Sequence, residues 1–237
     1  LPPVGNDIVD LRQTDNQGKS RDDRFVGRVF TTEERDRIAG ASCPDKILWA
    51  LWAAKEAAYK AVSRNAPSIR STPRRYSVVF DGWNPCRGID HAEHSAGRGG
   101  PDGRGKGEKT DAPAISEGQL TGRVLTPGGE VALRTIVTDD YVHALTVSRE
   151  EDFAALIHRV DLLDAEKDTG GASAFVRRQL LSEIARRLEC PLDDLEIRKE
   201  RSGPGAPGVF LQGRPLAAEV SLSHDGRFTA FAFRIPC

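Results

Sequence analysis

Apolar residues recur with a helical period over two long stretches of the chain and alternate with polar ones over several short stretches. From Pro44 to about Arg64 the chain is rich in Ala, Leu, Lys and Glu, with Pro44 suited to a first turn and Pro67 closing the run, which predicts a long helix. Apolar residues at 175, 176, 180, 181, 184 and 188 share one helical face and predict a second long helix over 172–189. Thr31 followed three residues later by Glu34 forms a capping box and marks another helix start. Strands are predicted at 4–11, 76–83, 122–126, 130–137, 141–148 and 195–199, with Pro127-Gly128-Gly129 as a turn. Ser202 to Gly208 reads as a Gly/Pro-rich turn, and 220–223 with 228–235 as a terminal hairpin turning at Asp225-Gly226. Between 84 and 118 the composition shifts to Gly, Pro, Ser and charge, which predicts a long mobile loop.

The pattern is α+β, twice over. It divides near Glu150 into a half at 1–149 and a half at 150–237. The 237 residues suffice for a substantial core, and no apolar run approaches the roughly 20 residues a membrane helix needs. A net charge of −1 gives no bulk reason to expect nucleic acid as a partner. The opening Leu1-Pro2-Pro3-Val4 lacks the basic and apolar regions of an export signal, so a cytoplasmic protein is expected. Cys43, Cys86, Cys190 and Cys237 show no metal-type spacing and are expected to be free thiols.

Candidate chemistry gathers in three runs. In Gly5-Asn6-Asp7-Ile8-Val9-Asp10-Leu11, strand alternation puts Gly5, Asp7 and Val9 on one face and Asn6, Ile8 and Asp10 on the other. In the long helix, Trp52, Glu56 and Lys60 form one stripe. If Asp7 and Glu56 converge, the two carboxylates repel unless a cation joins them, and such oxygen ligands suit Mg²⁺. Lys60, one turn on, offers charge to a phosphate or a route for a proton. Val220-Ser221-Leu222-Ser223-His224-Asp225-Gly226 adds a hydroxyl and an imidazole suited to phosphate. Taken singly, each has a plainer reading: Asp7 a turn or cap residue, Glu56 and Lys60 a surface ion pair, His224 a structural hairpin residue, Trp49 and Trp52 core.

Together these runs resemble the 4'-phosphopantetheinyl transferases, whose holo-acyl-carrier-protein synthase and surfactin-type members carry G-x-D-I-x-[ED], W-x-x-K-E-A-x-x-K and S-[IL]-S-H. The resemblance implies an α+β fold in which two similar halves, each a small antiparallel sheet on a long helix, form a pseudo-dimer. It implies transfer of the phosphopantetheine arm of coenzyme A to a serine of an apo acyl or peptidyl carrier protein, whether of fatty acid, polyketide or peptide synthesis. It implies Mg²⁺ on Asp7 and Glu56, and Glu56 or Lys60 as acceptor of the serine proton. Lys55 and Lys60 match lysines near the coenzyme A phosphates, and Ser223 and His224 match phosphate-contacting positions. Arg177 or Arg178 is expected to grip the 3'-phosphate, while Arg186 and Arg187 suit a solvated face.

In larger members of the family the serine–histidine motif precedes the metal motifs. Here the order is reversed, so a metal-binding half at 1–149 and a phosphate-binding half at 150–237 are expected to share one cleft within a monomer. Three positions depart from the pattern. Val9 stands where larger enzymes often carry a third acidic ligand, and water is expected to complete the shell. Gly205-Ala206-Pro207 stands for G-K-P, with Arg214 a candidate substitute. Asn6 replaces a small or apolar residue. Two rivals are a non-catalytic protein of the same fold that grips coenzyme A or a carrier protein, and a hydrolase with metal on His91, Glu93 and His94. The loop around that second site offers no helix to preorganise it.

Overall fold

Alternation along β1 (Val4–Asp10) is realised as expected, with nearly every side chain enclosed. The computed structural model describes residues 3–66, 68–81, 118–163, 171–199 and 207–236. The expected loop thus lies outside the described residues except for Gly118, as do His91, Glu93, His94, Cys86, Cys237, Gly205 and Ala206.

Three helices follow β1. Helix α1 (Asp23–Val29) is capped by Asp22, whose side chain accepts from the Phe25 amide. Helix α2 (Thr32–Ala39) opens with the capping box formed by Thr31 and Glu34, and α3 (Pro44–Asn65) opens on Pro44. Then come β2 (Ser77–Phe80), β3 (Gly118–Thr126), β4 (Gly129–Val137) and β5 (Tyr141–Val147), which complete an antiparallel sheet in the order β1-β5-β4-β3-β2. Helix α3 lies on this sheet through Ala50, Ala53, Ala54, Ala57, Ala58 and Ala61, all fully buried. Small side chains let the helix come close. At Gly5 a Cβ would overlap the carbonyl oxygen of Ala57, so helix backbone and strand backbone touch there.

The remaining elements are β6 (Ile157–Leu162), α4 (Gly171–Leu188), β7 (Leu195–Lys199), β8 (Pro207–Leu211), β9 (Arg214–Pro215), β10 (Glu219–Asp225) and β11 (Phe228–Arg234). They form two three-stranded antiparallel sheets, β10-β11-β6 and β7-β8-β9. Val176, Leu180 and Ile184 of α4 pack with Val220, Phe231 and Phe233. Two expectations need correction. Pro207 and Gly208 begin a strand rather than close a turn, because Lys199 and Arg198 pair with them. The hairpin turns at Gly226-Arg227, since Asp225 is still paired with Phe228.

The sheets meet through apolar contacts of Val4, Leu145 and Val147 with Phe153 and Ala232, and of Ile8 with Phe228 and Ala230. Strand β1 ends its sheet and β10 ends another. Asn6 and Asp10 donate their amides to Ser221 Oγ and Asp225 Oδ2 at 2.9 and 2.8 Å. Both pairs are 215 residues apart, so the two strands run parallel and are joined by side-chain oxygens instead of a backbone ladder.

Candidate active site

The touching backbones at Gly5 and Ala57 set what the next residues can reach. Asp7 shares the Gly5 face, and α3 offers Glu56 and Lys60 one turn apart. Lys60 Nζ donates to Asp7 Oδ1 at 2.8 Å, to the Asn6 carbonyl at 3.0 Å and to the Leu222 carbonyl at 3.5 Å. Glu56 accepts from the Ser71 hydroxyl at 3.4 Å.

Burial raises the pKa of Asp7 despite the neighbouring Lys60 charge, and Asp225 adds to the rise while His224 opposes it. Burial also raises Glu56, and the Asp7 carboxylate is the next cause. Asp7 thus feels Lys60, Asp225 and His224, while Glu56 feels Asp7. Two buried carboxylates, one of which feels the other's charge, are suited to a hard divalent cation, whose charge would favour the ionised form of both. Asp7 and Glu56 fit Mg²⁺ in donor type, although among the described residues no group of three or more His, Cys, Asp or Glu gathers. Val9, which stands at the third ligand position, is a buried apolar residue of the core.

Beside this pair lies a cleft of about 310 Å³ lined by residues of α3, α4, β8 and β10. Tyr59, Lys60 and Arg64 line one wall, and Arg177, Pro207 and His224 line the other. His224 is exposed within it. The structure therefore brings Lys60, Arg177 and His224 to one opening, with Asp7 joined to it through Lys60; neither Asp7 nor Glu56 is part of the lining.

Other expected site residues lie elsewhere. Lys55 is 1 % exposed and pairs with the equally buried Glu34 at 2.7 Å. It also donates to the carbonyls of Pro73 and Tyr76, so its ammonium is consumed inside the fold and is not available to a phosphate. Helical geometry explains this: Lys55 is about 100° round the helix from Glu56. Ser223 is 6 % exposed, and its hydroxyl donates to Asn6 Oδ1 at 2.6 Å. Alternation on β10 sends its side chain to the face opposite His224. Arg178 is exposed and lies over the Phe175 ring, outside the cleft lining. Arg186 and Arg187 bond Glu183 on the exposed face of α4, as expected of a solvated face. Arg214 sits exposed on β9, also outside that lining.

Arg64 escaped the sequence reading, although the stripe Trp52-Glu56-Lys60 reaches it in one further step of four. It donates to Glu219 Oε2 at 2.9 Å and to the Val220 carbonyl, holding β10 to α3. Ser173 and Tyr59 also line the cleft without any motif to reveal them. Trp49 is buried and bonds the Asn16 carbonyl at 2.8 Å, while Trp52 packs on Phe25, so both are core.

Among the described residues no helix is long and apolar enough to cross a membrane. No curated protein matches the chain. Residues 3–99, a stretch that takes in Asp7, Glu56 and Lys60 and stops before the strand bearing His224, match the family model of the 4'-phosphopantetheinyl transferase superfamily.

Proposed function

We propose that the protein transfers the 4'-phosphopantetheine group of coenzyme A to a serine of an apo acyl or peptidyl carrier protein, releasing adenosine 3',5'-bisphosphate. The observation that carries this reading is the arrival of Lys60 with Asp7, Arg177 and His224 at one cleft, from opposite ends of the chain. Residues 1–149 act as the metal-binding half and 150–237 as the phosphate-binding half, related as a pseudo-dimer in swapped order. One chain supplies both walls, so a monomer suffices. A cytoplasmic setting agrees with the free thiols of Cys43 and Cys190.

The serine oxygen bonds to the β-phosphorus while the bond from that phosphorus to the bridging oxygen breaks, and the leaving group departs with the adenosine. Mg²⁺ held by Asp7 and Glu56 would supply charge neutralisation at the pyrophosphate. Lys60 has its N–H bonds committed to three acceptors and serves as a fixed cation. Glu56 accepts the serine proton directly or through water. Arg177 and His224 hold phosphate oxygens of coenzyme A from the other wall.

Mass spectrometry of apo carrier protein incubated with coenzyme A and Mg²⁺ tests this. Wild type adds the phosphopantetheine mass, and Asp7→Ala and Glu56→Ala do not. Equal modification by either variant removes that residue from the metal pair, and no modification by wild type defeats the reading.

A further inference from the structure

Lys60 on α3 lies over β1 and His224 is on β10, and no backbone ladder ties these two strands, since β1 pairs with β5 and β10 with β11. Side chains do the joining, and Asn6 is where they meet. Its amide donates to Ser221 Oγ at 2.9 Å, and its Oδ1 accepts from the Ser223 hydroxyl at 2.6 Å. His143 Nε2 on β5 lies 3.2 Å from the same Oδ1. The carbonyl of Asn6 accepts from Lys60 Nζ at 3.0 Å. Asn6 and His143 are fully buried, and Ser221 and Ser223 nearly so.

We propose that Asn6 is a positioning residue for the transfer step, an inference that rests on the transferase reading. Its carbonyl fixes Lys60, and its side chain fixes Ser223, the residue immediately before His224. A slip of β10 along β1 would therefore change the spacing of the imidazole and the ammonium across the cleft. Packing alone argues for an apolar side chain here, as Ile8 provides two residues later on the same face. A buried amide is costly when any of its groups is left unpaired, and Asn6 Nδ2 has no partner among the described residues. The gain that offsets this cost is registry, because a polar contact specifies one alignment of two strands where apolar contact tolerates several.

The test compares Asn6→Ala, Ser223→Ala, the double variant and Ile8→Val, a packing change at the same interface. Coenzyme A affinity is measured by titration calorimetry, transfer by mass spectrometry, and folding by thermal melting. Asn6→Ala is expected to lower kcat about a hundredfold, the cost of roughly 1 Å of misplacement. Its coenzyme A affinity should stay within about threefold, because Arg177 and His224 keep their own wall. The double variant should lose no more in kcat than the worse single one, as expected for two ends of one contact. Ile8→Val should lose thermal stability while keeping kcat. If Asn6→Ala loses stability but keeps kcat, or if the two alanine losses multiply, the positioning role is overturned and Asn6 is structural. A wild type that binds coenzyme A but modifies no carrier protein overturns the transferase reading instead.

Discussion

Lys55 and Glu56 are neighbours in sequence with opposite fates, and the difference is one of direction. Lys55 points into the core, where burial lowers its pKa and Glu34 holds its charge. Glu34 also accepts from the amides of Thr31 and Val78 at 2.9 and 3.0 Å, so one carboxylate serves a helix cap, a strand and an ion pair. Lys55→Ala should destabilise by about 3–5 kcal/mol, the cost of leaving a buried charge without its partner. Thermal melting checks this, and Lys55→Met combined with Glu34→Gln should melt higher than Lys55→Ala. The same directional rules were legible in the sequence. Alternation on a strand sends the side chains of Ser223 and His224 to opposite faces, and helical spacing separates Lys55 from Lys60. Adjacent motif letters obscured that, whereas the stripe from Glu56 to Lys60 revealed a true shared face. Asn6 was legible only as an oddity, because its partners come from β10 and β5.

Elements with strong periodicity were readable, and those made by partners were not. Helices α3 and α4 and strands β1, β4 and β5 follow from pattern and capping. Strand β6 has little apolar alternation and exists because β11 pairs along it. Helix α1 contains Gly27 and owes its place to the Asp22 cap and to Phe25 against Trp49 and Trp52. The contact of α3 with β1 is the element-scale feature on which the site depends. Gly5→Ala forces the strand and the Ala57 carbonyl apart. It should cost about 1–3 kcal/mol as an overpacked contact, and it should lower transfer beyond what lost folding explains, by parting Asp7 from Glu56 and Lys60. Chemical unfolding together with transfer rate per folded molecule measures both effects.

For the whole molecule, the seam where β1 and β5 meet β6, β10 and β11 carries two acid-sensitive groups. Burial opposes the charge on Asp10, yet the hydrogen bonds of Arg227 hold its pKa down to about 2. Burial, with help from the charges of His158 and Lys60, pushes His143 from 6.5 down to about 3. Both shifts are depressions, so each group's contribution is present above its unfolded pKa and is lost as pH falls through the folded one. The seam should weaken first between pH 6.5 and about 3, where the unfolded chain binds a proton at His143 that the folded one refuses, and further between pH 3.8 and about 2, where the same holds for Asp10. His143→Gln should flatten the first loss by about 2 kcal/mol between neutral pH and about pH 5, at 1.36 kcal/mol per pKa unit. Urea unfolding at both pH values is the measurement. Light scattering at working concentration should give a single chain's mass, since both walls of the cleft come from one polypeptide. The parallel alignment of β1 with β10 also has a temporal side. Strand β1 precedes every other described element, but the oxygens that receive its amides lie 215 residues further on. A growing polypeptide therefore holds the carboxylates of Asp7 and Glu56 long before the strand that carries His224 emerges, and contacts of such sequence separation close slowly. On the proposed transferase reading, competence for transfer waits for β10, so chains that stop short of that strand are expected to leave a carrier protein unmodified.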